Sequence, residues 1–348
     1  MAASSPVAIA VRPAQVGWLT WVVAGLTLLI AALAAVAFGP ARLDAGRVFL
    51  TLLDLLPGVD PAGALTGQER TILLALRAPR AVLGGLVGAM LALAGGAYQG
   101  VFRNPLADPY LLGAAAGAGV GATVAIVATD GTTWIAVAAF AGALLGVGLT
   151  YFVGRSGGGR SPAGLLLAGV AVTSFLTAVQ TFVLQRNYDT LQEVYGFILG
   201  QLGTGGWTEV RMMAPYAVAA AVVILAHRRV LDVLSVGDAE AASLGLAPAR
   251  VRRILVVAAS LGTAAAVAVS GLIGFVGVIV PHTIRLLFGW SYRVILPLSV
   301  LFGAAFMMGA DLIGRTVLAP SELPIGVVTA AFGAPFFLLV LRSARSPR

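Results

Sequence analysis

The chain has no cysteine and no lysine, and only 10% of its residues are charged. Without cysteine there is no disulfide, no thiolate nucleophile and no thiol-ligated zinc. Without lysine there is no phosphate-binding-loop cation and no amine for a Schiff base, so any ATP handled in the P-loop manner belongs to a partner. The two histidines, His227 and His282, are too few for a His-only metal site. Soluble domains carry roughly 25% charged residues. A chain so poor in charge cannot cover a soluble globule, and it reads as a membrane protein.

What is present is apolar: 59% of 348 residues, with a mean hydropathy of +0.98. At about 20 residues per helical span, this composition allows about ten spans and leaves no separate soluble domain, so residues 1–348 read as one transmembrane domain. Apolar runs lie at about 16–39, 81–101, 111–129, 133–154, 163–184, 210–227, 254–270, 272–289, 294–314 and 325–341. The first, about 24 residues, exceeds the 7 to 15 of a secretory h-region and is expected to be an uncleaved span. The expectation is an all-α polytopic protein of ten transmembrane helices.

With residues 1–15 placed in the cytoplasm, fourteen arginines and four acids fall on the inner side, and eight arginines with ten acids on the outer. Positive-inside bias favours that orientation, with both termini cytoplasmic. The net charge of +8 thus describes topology, and nucleic acid is not implied. The 44 glycines, about 13% against an ordinary 7%, recur at four-residue spacing in Gly84/Gly88, Gly113/Gly117/Gly121 and Gly142/Gly146. In lipid, small residues that let backbones touch supply the packing, so a tight bundle is expected.

Several segments carry more than packing. Between the second and third runs, Arg103-Asn104-Pro105-Leu106-Ala107-Asp108-Pro109 has two prolines that forbid a continuous helix. It is either a turn capped by Asn104 and Asp108 or a constriction on a transport path. A second break, Ser270 to Gly277 followed by Pro281-His282, predicts a sharp turn and a distorted span, with His282 a polar cap or a proton relay. Thr173, Thr177, Gln180 and Thr181 form a polar stripe at helical spacing, serving as interhelical glue or as the lining of a wet path.

In the longest inner loop, about 229–252, Asp238 suits an N-cap, Ala239 to Leu244 a two-turn helix, Gly245 its C′ position, and Pro248 the start of the next helix. So short a helix is marginal alone, so it docks on the bundle or on a soluble partner. Outside, Arg77, Arg80 and Arg315 run against the topology bias and suit carboxylates of a partner or lipid headgroups. Asp311, four residues before Arg315, suits an ion pair, although intramembrane acids are functional candidates by default.

These segments, in this order, resemble the FecCD-type permease subunits of ABC importers for cobalamin, haem and ferric siderophores. The matching residues are Arg77-Ala-Pro-Arg80, Gly88-Ala-Met-Leu-Ala-Leu-Ala-Gly95, Gln99, Arg103-Asn-Pro-Leu-Ala-Asp-Pro109, Leu112-Gly113, Leu165-Leu-Leu-Ala-Gly169 and Leu234-Ser-Val-Gly-Asp-Ala-Glu-Ala-Ala-Ser-Leu-Gly245. They continue through Gly271-Leu-Ile-Gly-Phe-Val-Gly-Val-Ile-Val-Pro-His282, Arg285, Asp311, Arg315, Glu322-Leu-Pro-Ile-Gly326 and Gly333-Ala-Pro-Phe-Phe337.

The resemblance implies a type II ABC importer permease fold of ten spans and a homodimer with the path on its two-fold axis. It implies two cytoplasmic ATPase subunits, which hold the ATP and Mg that this chain does not, and an extracytoplasmic substrate-binding protein. By the same likeness, Gly237, Asp238, Ala239, Glu240, Ala241, Ser243, Leu244 and Gly245 receive the ATPase stroke, and Arg77, Arg80 and Arg315 meet acids of the binding protein. Asn104 and Leu106 match a cytoplasmic gate, with Ser161, Pro162 and Ala163 its other element; Thr173, Thr177 and Gln180 fall along the path. Two segments depart from the family pattern: Phe197 to Gln201, where Trp and Ser often stand, and Pro162-Ala163, where small hydroxylated residues occur. The resemblance implies a non-catalytic permease in the cytoplasmic membrane, with a ferric siderophore the expected cargo and haem or cobalamin the alternatives. A proton-coupled secondary transporter using Asp311 or His282 is the rival from another class.

Overall fold

The structure, a computed structural model, describes residues 16–58, 61–129, 133–156, 162–202 and 206–345. The expected inner N-terminal segment 1–15 and Ser161 lie outside the described residues. Fifteen α-helices are described. Ten are apolar and fall on the ten runs: α1 (Trp18–Ala37), α4 (Ala78–Phe102), α5 (Ala114–Ala128), α6 (Thr133–Ser156), α7 (Pro162–Arg186), α9 (Trp207–Ala226), α12 (Pro248–Ser270), α13 (Val276–Phe288), α14 (Tyr292–Thr316) and α15 (Ile325–Arg345). Seven of these are long and apolar enough to cross a membrane by themselves; α5, α13 and α15 supply shorter apolar stretches. The others are α2 (Ala45–Leu53), α3 (Gly67–Thr71), α8 (Leu191–Leu199), α10 (Arg228–Val236) and α11 (Asp238–Ser243).

Helix α4 is the axis of the bundle. It is buried along nearly its whole length and packs against α9, α12, α13 and α14. Lipid gives no hydrophobic drive for this, so backbone contact must supply it. The glycines do so: a methyl on Gly88 would overlap the carbonyl of Gly303 on α14, and one on Gly95 that of Gly277 on α13. The expected four-residue spacing works in the same way at Gly117 of α5, whose added methyl would meet the carbonyl of Gly142 on α6.

The start of α4 is irregular for a reason visible in its sequence. Pro79 has no N–H to donate. The preceding turn, Ile72–Arg77, widens to a π-helix in which the Ala78 N–H donates to Leu73, five residues back. This leaves the carbonyl of Leu74 without a helical donor, and the indole N–H of Trp207 takes it at 3.0 Å.

Gly88→Ala is expected to cost about 1–3 kcal/mol of stability by overpacking. Gly309→Ala, whose methyl meets nothing within 4 Å, should leave stability unchanged or slightly raised, and thermal unfolding in detergent measures both.

Candidate functional site

The loop 229–252 forms two helices rather than one, because Gly237 lies between them in extended backbone. α10 is fastened to the bundle by its acid: Asp232 accepts from the Tyr292 N–H (2.5 Å) and the Ser291 hydroxyl (3.0 Å) at the start of α14. A carboxylate there satisfies orphan amides and the positive end of the helix dipole.

α11 starts at Asp238, one residue earlier than the sequence suggests. Asp238 is therefore not the N-cap, which is Gly237 with no side-chain bond. Its carboxylate instead joins two arginines: Arg252 of α12 (Nη1 to Oδ2, 2.8 Å) and Arg103 at the end of α4. The hydrogen-bonded Arg252 guanidinium holds the Asp238 carboxyl below the usual carboxylate range, and Arg103 adds to this. A carboxyl depressed in the folded state keeps its contribution above its ordinary pKa and loses it as pH falls through the folded value. The clasp is thus intact at neutral pH.

The far end of α11 closes as expected. Gly245 is left-handed (φ +78°), its N–H donates to Ala242 and the Leu246 N–H to Ala241, which is a Schellman ending. Only Ala241 is buried; Ala239, Glu240, Ser243 and Leu244 face outward, Leu244 at 69% exposure. The glycine at 237 leaves room for the Glu240 carboxylate, which folds back over it.

Arg103 joins this loop to the first break. It adopts the left-handed conformation (φ 49°), ends α4, and donates to the Leu234 carbonyl at 2.8 Å. Asn104 follows and accepts the Leu106 N–H on its Oδ1 (3.0 Å), and Asp108 accepts the Tyr110 N–H (2.8 Å). Both expected caps are therefore present, and Asn104 and Leu106 lie half-buried at the turn. The two breaks meet inside the bundle. The Tyr110 hydroxyl donates to the Ile273 carbonyl and accepts its N–H, each at 3.0 Å. His282 is buried on α13, its ring edge-on to that of Phe336.

Ala163, on the first turn of α7, is exposed; Pro162 is the first residue of that helix. The polar stripe of α7 divides in two. Gln180 is buried and donates to the Thr123 hydroxyl of α5 at 3.0 Å, the interhelical bond rather than a path lining. Thr177 and Thr181 are exposed and Thr173 half-buried; Ser174 and Thr181 bond the carbonyl four residues back. Together with Leu167 and Val170 they leave one face of α7 uncovered.

At the opposite end the arginines are less open than the sequence suggests. Arg77 and Arg315 are 5% and 3% exposed. Arg77 donates to the carbonyls of Val36 (3.1 Å), Ala37 (2.6 Å) and Ala41, and Arg315 to that of Ala35. Both are spent on the carbonyl end of α1, where orphan acceptors and the dipole favour a cation. Arg315 also pairs with Asp311 at 3.3 Å, as the spacing predicts. Arg80 joins this pair from α4, reaching Asp311 at 2.8 Å and holding Glu322 with both terminal nitrogens at 3.1 and 2.8 Å. Glu322 and Arg252 carry no local spacing signal, since their partners lie far along the chain.

A family model described as the FecCD transport family matches residues 27–343. The chain belongs to the FecCD transport family. FecCD relatives include the cobalamin import permease of Halobacterium salinarum, 42% identical over 77% of this chain and 72% of that one. The Fe(3+)-citrate import permease of Bacillus subtilis is 37% identical over 80% and 84%, and the hemin transport permease of Yersinia pestis 35% over 88% and 97%. A solved structure described as an inward-facing metal-chelate type ABC transporter superposes with a TM-score of 0.81 at 26% identity, covering 94% of this chain and all of that one.

Asp311→Asn should destabilise this FecCD protein by about 3–5 kcal/mol, the cost of leaving a buried cation without its partner. Thermal unfolding should show it as a loss larger than that of Glu322→Gln, whose carboxylate is 45% exposed.

Proposed function

We propose that the chain is the membrane-spanning subunit of an ATP-driven importer that passes a metal chelate from a binding protein outside to the cytoplasm. The observation that carries the reading is the loop 229–252: clamped to the bundle by Asp232, Arg103 and Arg252, it leaves the outer face of α11 with no covering. A short helix rigidly tied to a gate segment yet bare on its far side suits a surface that a soluble ATPase pushes. Membership of the FecCD family supports the same assignment.

In this reading two copies associate through the uncovered face of α7, with Thr173 and Thr177 along the path. Pairs of ATPase subunits bind ATP and Mg and seat on Gly237 to Gly245. The arginine-rich ends face the cytoplasm, and both termini lie on that side. Asn104 and Leu106, with Ser161, Pro162 and Ala163, close the path there. At the other end Arg80 offers a guanidinium already held in a bidentate geometry by Glu322, and Arg77 and Arg315 stiffen the platform behind it. The cargo is a ferric siderophore; cobalamin is the second reading, favoured by the permease from Halobacterium salinarum among the relatives.

A proton-coupled mechanism is poorly served by these residues. Asp311 is already engaged by the guanidiniums of Arg80 and Arg315, and His282 packs edge-on against the ring of Phe336.

Reconstituted with its ATPase, the chain should support uptake that is ATP-dependent and vanadate-sensitive, and that survives collapse of the proton gradient; uptake that tracks the gradient would sink the reading. Binding proteins loaded with ferric siderophore, cobalamin or haem should stimulate the ATPase selectively, and this assigns the cargo. Leu244→Asp should weaken ATPase association at least about tenfold, the cost of burying an unpaired charge at an interface, in a pull-down with unaltered bundle stability.

A further inference from the structure

Helix α12 begins with arginines where its dipole favours acids. Arg250, Arg252 and Arg253 occupy its first two turns, and no acidic residue stands in the first turn. The helix N-terminus carries a partial positive charge and unsatisfied amides, so three cations there call for anions. Arg252 has one in Asp238. Arg250 and Arg253 are exposed, and among the described residues neither has a carboxylate within 4.0 Å.

The two unmatched arginines end a groove of about 540 Å3 between α9 and α12. Below them the groove runs along the span over Ala220, Val223, Val257 and Ala258. Arg250, Arg253 and Val257 are three and four residues apart, so the cations continue the apolar stripe on one face of α12. Val257 is 66% exposed, and the groove is open along its side. The molecule that fills such a site has an anionic head at the level of the helix end and an apolar tail along the span. Inorganic phosphate or a protein carboxylate would satisfy the arginines but leave the channel beneath them empty.

We propose that this groove is a binding site for one anionic phospholipid, its phosphate held by Arg250 and Arg253 and an acyl chain lying over Val223 and Val257. The site concerns neither the path nor the docking surfaces, and it stands whichever cargo the chain carries. Guanidiniums suit the task because they match phosphate oxygens in pairs, and each basic residue near an anionic surface adds attraction that salt weakens.

The test uses the full chain purified in mild detergent and titrated with phosphatidylglycerol or phosphatidylcholine of matched acyl chains, with bound lipid counted by native mass spectrometry. Phosphatidylglycerol should be retained about tenfold more strongly. Arg250→Gln with Arg253→Gln should bring the ratio to about one, and Arg250→Lys with Arg253→Lys should retain most of the preference. Ala219→Leu with Val257→Phe, both at exposed lining positions, fills the groove and leaves the arginines, and should abolish retention of both lipids. An unchanged preference in the glutamine pair overturns the proposal. So does glycerophosphate displacing phosphatidylglycerol at equal concentration, which marks a free-phosphate site. A glutamine pair that keeps the lipid preference but loses the ATPase subunit assigns the arginines to a protein interface, and the proposal falls.

Discussion

Inside a bilayer every backbone N–H and carbonyl must find a partner within the protein, because no water is there to supply one. Most of the unusual features of this chain answer that constraint. Pro79 frees the carbonyl of Leu74, and the Trp207 indole takes it. The end of α1 leaves carbonyls at Ala35, Val36 and Ala37, and Arg77 and Arg315 reach them. The break at 270–275 would expose a whole turn of backbone. It is closed instead by bonds from Leu272 to Phe197 and from Gln201 to Ser270, while Ile325 donates to Gly200. Irregular segments in this bundle are satisfied chiefly by each other, so they must lie together.

The glycine content follows from the same constraint in another form. Helices that bond their own backbones completely have nothing polar left to attract a neighbour, and lipid is as apolar as their side chains. Close approach is the remaining source of attraction. Gly88 against Gly303 and Gly95 against Gly277 bring carbonyls to positions that a methyl would occupy. α4 thereby packs against four other helices at once, and its two ends are fixed relative to each other. One end carries Arg80 in the cluster with Asp311 and Glu322, and the other carries Arg103 in the clasp with Asp238.

What could be read in the sequence was whatever is encoded within one helix or one turn. The ten apolar runs, the breaks at 103–109 and 270–277, the ending at Gly245 and the Asp311–Arg315 pair all depend on residues a few positions apart. Arg77, Arg80 and Arg315 were legible only in part. Their charge marked them as unusual, but nothing nearby shows that Arg77 and Arg315 turn inward to the end of α1, 41 and 280 residues away. Gln180 belonged to a stripe by spacing, yet its neighbour Thr123 is on another helix and decides which way it faces. Asp238 looked like a cap because caps are local. Its actual partners, Arg103 and Arg252, come from the ends of two separate helices.

That clasp has a mechanical consequence. A non-glycine residue in the left-handed conformation costs about 1–2 kcal/mol, and Arg103 adopts it while its guanidinium is held by Leu234 of α10 and Asp238 of α11. The backbone at this point is therefore held by the same loop that presents the bare face of α11. Asn104 is the next residue, and its side chain shapes the turn through Leu106. Any displacement of α11 must either break the Asp238 pair or move Arg103. Arg252 holds Asp238 from α12 with two nitrogens, and this sets the pivot about which the pair can swing. No side-chain relay through the bundle is needed: the path from the outer face of α11 to the turn at Asn104 is one ion pair and one peptide bond long.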